Sequence, residues 1–71
     1  MYNKLELKSV IARYGDRQSD LAEAIGITQS MLSNRINGNS EFSRPEIEAI
    51  ASRYNLTADE IQKIFFTFEV S

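Results

Sequence analysis

Gln18-Ser19-Asp20-Leu21-Ala22-Glu23-Ala24-Ile25-Gly26-Ile27-Thr28-Gln29-Ser30-Met31-Leu32-Ser33-Asn34-Arg35-Ile36-Asn37-Gly38 holds two short helical patterns back to back. In the first, Leu21, Ala22 and Ile25 fall along one side of a helix, and Gly26 stops it. Thr28 is placed to cap the next helix by accepting a hydrogen bond from its first free N–H groups. That second helix, Gln29 to Asn37, has Leu32 and Ile36 as its strong apolar pair at i and i+4, with Met31 beside them. The rest of its surface is polar.

Outward from this pair the chain continues in short helices. Upstream, Leu7, Val10, Ile11 and Tyr14 recur at i, i+3, i+4 and i+7 until Gly15, and Asp16 is expected to cap the helix that follows. Downstream, Gly38-Asn39-Ser40 reads as a loop. Ser43-Arg44-Pro45-Glu46 has the form of a capping box with proline in the first turn, followed by Ile47, Ile50, Ala51 and Tyr54. Thr57-Ala58-Asp59-Glu60 repeats the signature before Ile61, Ile64 and Phe65. The expected fold is all-α, a bundle of about five short helices in one domain over residues 1–71. Residues 66–71 alternate apolar and polar and can instead form an extended tail.

Composition narrows the chemistry. The 71 residues contain no cysteine and no histidine, which removes Cys/His zinc sites and His-assisted nucleophiles. Carboxylates remain, but Asp59 with Glu60, and Glu46 with Glu48, sit where a helix N-terminus stabilises negative charge without any catalytic role. No enzyme activity, cofactor, metal or small-molecule substrate is therefore expected. There is no apolar run of membrane length, and Met1-Tyr2-Asn3-Lys4 does not begin a signal peptide, so a cytoplasmic protein of a bacterial host cell is the expectation. Eight Lys and Arg against ten Asp and Glu give a net charge of −2. Residues 1–40 hold five cations against four anions, and residues 41–71 three against six, so the positive charge favours the half that contains residues 18–38.

Two short helices joined through a glycine turn form a helix-turn-helix. The 18–38 stretch resembles phage lambda repressor and Cro proteins and their Xre-like bacterial relatives, and its Ser33-Asn34-Arg35-Ile36-Asn37-Gly38 ending is similar to short Cro-like regulators of Gram-positive phages. Ala22 is small where the two helices cross, and Ile27 pins the turn to the core. The resemblance implies that the start of the second motif helix meets base edges in a major groove of double-stranded DNA and that the start of the first meets phosphate. Carried onto this chain, Gln29, Ser30, Ser33 and Asn34 are base-contacting candidates, their amides suited to adenine. Gln18 matches a phosphate-binding amide. Arg17, Arg35, Asn37, Asn39 and Arg44 are further phosphate candidates, Arg44 because it opens a helix. The family's pattern often has an apolar residue where this chain has Arg35, which is read as facing solvent or phosphate.

Two uses of these residues stay open. One is a sequence-specific transcriptional regulator, acting on an operator as a dimer or as monomers that meet there. The other is a phage modulator or antirepressor that keeps the fold but works by binding a partner repressor, in keeping with the acidic balance. Core completion accounts for one or two of the rings Phe65, Phe66 and Phe68, but so short a chain does not readily bury all three with Val70, and these four residues are candidates for a homodimer or partner interface. Arg13 and Glu23 are an equally ordinary candidate for an interhelical ion pair.

Overall fold

In the computed structural model, which describes residues 3–66, helices begin where short polar side chains accept the first free N–H groups. Asn3 Oδ1 accepts from the Glu6 N–H at 3.1 Å and opens α1, Lys4–Arg13. Thr28 Oγ1 accepts from the Met31 N–H at 3.1 Å and opens α3, Gln29–Ile36. Reciprocal capping boxes, Ser43 with Glu46 and Thr57 with Glu60, open α4, Arg44–Tyr54, and α5, Ala58–Phe65. The remaining helix, α2 at Gln18–Ile25, begins differently: its cap is Arg17, whose N–H is taken by Asp20 Oδ2 at 2.8 Å.

The expectation for Asp16 is thus corrected. Its carboxylate turns away from α2 to accept from Arg53 Nε at 2.8 Å, Arg53 Nη2 at 3.0 Å and the Tyr54 hydroxyl at 2.8 Å. Three donor groups on two side chains at the end of α4 outcompete a single exposed N–H of the next helix, because charge-assisted, partly bidentate bonds are the stronger ones.

Every helix contributes to one core. Leu7, Leu21, Leu32, Ile50 and Ile64 are fully enclosed, one from each helix in chain order. α1 lies against α5, and α2 against both α3 and α4. Phe42, in the connection between α3 and α4, enters this core and meets the Phe65 ring edge-on at a centroid distance of 5.4 Å. Phe65 is buried, which corrects its assignment to an interface, whereas Phe66 remains 46% exposed. Phe68 and Val70, and with them most of the expected tail, lie outside the described residues. Tyr14 is exposed rather than core, resting edge-on against Tyr54 at 4.9 Å. No ion pair joins Arg13 to Glu23. Glu23 lies beside Asp16 and Asp20, while Arg13 acts electrostatically on Glu60. Among the described residues, no helix is long and apolar enough to cross a membrane.

Candidate nucleic-acid interface

The joint between α2 and α3 takes a single residue between two caps. Gly26 closes α2 in the left-handed region at φ 79°, and the Ile27 N–H returns to the Ala22 carbonyl at 3.0 Å. Ala22 is buried under this reversal, and Ile27 packs against the core. Thr28 then starts α3 in an extended conformation. The chain direction therefore changes within Gly26-Ile27-Thr28, and α3 is set across the surface by backbone hydrogen bonds rather than by a mobile loop.

Only one face of α3 is anchored. Leu32 and Ile36 are buried, and residues two positions away stand about 200° round the helix. Ser30 and Asn34 accordingly point outward, with Gln29 exposed at the first turn and Ser33 half-buried on the flank. From Gly26 to Ser40 the only charged residue is Arg35. The outward face of α3 is thus an uncharged surface of amides and hydroxyls that can donate and accept, the chemistry that base edges in a major groove require, with the exposed Met31 beside them as its one large apolar side chain.

The phosphate candidates separate by how firmly they are held. Gln18 sits half-buried at the first position of α2, and Asn37 and Asn39 are exposed just after α3. Arg17 and Arg44 have side chains 82% and 91% exposed and make only long pairs of 3.5 Å, with Asp20 and Glu48 respectively. Such exposed pairs contribute little and leave the guanidinium able to move to a stronger anion.

Arg35 is different, and its reading as solvent- or phosphate-facing is corrected. Its side chain is only 16% exposed and its Nε lies 2.9 Å from Glu46 Oε1, itself only 12% exposed, while one Nη donates to the Met31 carbonyl at 3.2 Å. A paired cation occupies the position where the resemblance led to the expectation of an apolar residue, and Ile36 still reaches the core. Neither this pair nor the core position of Phe42 was found in the sequence. A lone phenylalanine between polar residues was the available signal for the second, and the shared capping carboxylate of Glu46 for the first.

On the other side of α2, the electrostatics serve the scaffold. Hydrogen bonds from Arg53, and after them the one from Tyr54, hold the Asp16 carboxyl below the usual aspartate range. The Arg17 backbone N–H does the same for Asp20, and the Thr57 N–H for Glu60. Burial, followed by the Asp16 carboxylate, pushes the Tyr54 phenol upward. Each shift has a local structural cause and lies away from the outward face of α3.

A search of curated proteins and a search of solved structures returned no significant match. The family model described as Helix-turn-helix does match, over residues 7–61, from the first core leucine of α1 to the apolar face of α5. That span holds the α2–α3 pair and the helices that support it, and the chain belongs to the helix-turn-helix family of Xre/lambda Cro type, a family of DNA-binding regulatory domains.

Proposed function

We propose that this protein is a sequence-specific transcriptional regulator of phage repressor/Cro type that reads the major groove of an operator with α3. The observation that carries the reading is the neutral, polar outward face of α3 opposite the buried Leu32 and Ile36. Gln29, Ser30 and Asn34 contact base edges, with Ser33 at the margin, and Arg17, Gln18, Asn37, Asn39 and Arg44 contact phosphates on either side. The decisive experiment selects duplexes from a randomised library with the purified protein and titrates the winner by fluorescence anisotropy. Gln29→Ala is expected to lower affinity for the selected duplex about tenfold or more, which is the size of one lost bidentate base contact, while the melting temperature is unchanged. Undiminished affinity in that variant would refute the assignment of α3 as reader.

An apolar groove of about 550 Å³ between α4 and α5 favours an assembled form. It is lined by Phe42, Ile47, Ala51, Ile61 and the exposed Phe66, together with the charged Arg44 and Glu48. A second copy of the chain seated there about a two-fold axis would present two reader helices to palindromic half-sites about 10 base pairs apart. Sedimentation equilibrium with and without the selected duplex tests this. A monomer that binds no duplex but displaces a phage repressor from its operator would instead establish the modulator reading.

A further inference from the structure

The anchoring of α3 is incomplete without Arg35. Leu32 and Ile36 are its two buried side chains and sit one turn apart on the same side, so they define a line nearly parallel to the helix axis. Two contacts on such a line fix where the helix lies and resist its tilt, but they resist rotation about its own axis poorly. Arg35 lies about 100° from Ile36, off that line. Its guanidinium donates to the Met31 carbonyl within α3 and to Glu46 Oε1, and the same carboxylate oxygen accepts the Ser43 N–H at 3.0 Å. Glu46 is itself fixed because its own N–H returns to Ser43 Oγ at 3.3 Å. A relay therefore runs from the backbone of α3 to the capped backbone of α4 through two mostly enclosed side chains.

We infer that Arg35 and Glu46 are positioning residues that set the rotation of the reader helix and so decide which side chains of α3 face the base edges. The inference rests on the DNA-reading role proposed above, but its structural half does not depend on it. With the side-chain surface about 5 Å from the helix axis, a roll of 20° displaces Ser30 and Asn34 by about 2 Å, enough to break a bidentate contact. Arg35 then acts on sequence choice without touching DNA.

The test compares the wild type with Arg35→Met and Glu46→Gln. Met keeps an apolar stem of similar length, and Gln retains an oxygen for the Ser43 N–H, so that α4 stays capped if the first variant folds poorly. N–H and Cα–Hα residual dipolar couplings of the free proteins report the roll of α3 in the frame of the other four helices. Anisotropy titrations against the duplex selected by the wild type, and against a scrambled duplex, report discrimination. In Arg35→Met we expect a roll of 10° or more and at least a tenfold fall in the affinity ratio between the two duplexes, with the salt slope unchanged. Glu46→Gln should shift both in the same direction by less, and the double variant should be no worse than Arg35→Met alone, as coupled residues behave. An unchanged roll in both single variants overturns the inference, and so does a salt slope lowered by about one unit in Arg35→Met, which would make Arg35 a phosphate contact. If the wild type selects no duplex, the DNA-reading role fails, and the dipolar couplings still decide whether the pair sets the helix.

Discussion

Gly26 holds its left-handed conformation with open space where a Cβ would stand, so Gly26→Ala isolates the cost of backbone conformation from that of steric overlap. An L-residue in that region costs about 1–2 kcal/mol, part of which returns through a less flexible unfolded chain, and the expected net loss is about 1 kcal/mol in denaturant unfolding. A much larger loss would mean that the turn had rearranged. Asn55 makes the comparable reversal after α4 at φ 51° without glycine, and asparagine is the residue that tolerates it best. Phe42 represents the opposite case, a side chain whose value is all packing. Phe42→Ala should cost about 3–5 kcal/mol, read as a lower denaturation midpoint at unchanged slope. Thr28, Ser43 and Thr57 were legible as caps because a cap acts on an N–H three positions ahead, within reach of any sequence reading. Asp16 and Phe42 were not, because their partners lie 37 and 38 residues away in one case and on α5 in the other.

α3 is two turns long, too short to persist on its own, and its first turn carries the proposed base contacts. Thr28→Ala removes the cap of that turn. It is expected to cost about 1 kcal/mol of stability and to weaken binding to the selected duplex, whereas Thr28→Ser restores both. A Thr28→Ala protein that binds as the wild type does would show that DNA itself orders the turn. The starts of α3, α4 and α5 were readable because each opens on a Ser or Thr cap, and the ends of α1 and α2 because a glycine follows; the start of α2 was not, since its cap is Arg17 rather than Asp16. The orientation of α3 was not readable, since a period of 3.6 places Arg35 on the flank of the helix without telling whether a carboxylate waits there. Glu46 was recognised as a capping residue, and nothing in the spacing shows that its oxygen serves two masters, the cap and Arg35.

Across the whole molecule the three depressed carboxylates, Asp16, Asp20 and Glu60, tie stability to pH. Each binds its proton less readily when folded than when unfolded, so its contribution is complete above the ordinary carboxylate value near 4 and disappears as the pH falls through the lower folded value. The melting temperature should be level above about pH 5 and fall steeply below about pH 4. Asp16→Asn is expected to lower the level part and flatten the fall; an unchanged profile would show that the bonds to Arg53 and Tyr54 contribute nothing. The negative net charge has its own consequence for the proposed function. With Arg17 and Arg44 as the loosely held cations flanking α3, the salt slope for one copy should be near −2, and binding to scrambled duplex should be weak at physiological salt. A slope beyond about −4 would point to basic contacts elsewhere, such as Lys4 and Lys8 on α1. Finally, the Asn3 N–H donates to the Ile64 carbonyl at 2.7 Å, so the first helix begins where the last one finishes. The order of helices is then effectively a ring, and its covalent opening is a matter of wiring. A circularly permuted gene that joins Phe66 to Asn3 through a short flexible peptide and starts the chain at Ser40, in the exposed connection after α3, should yield the same five helices, since such connections tolerate new termini.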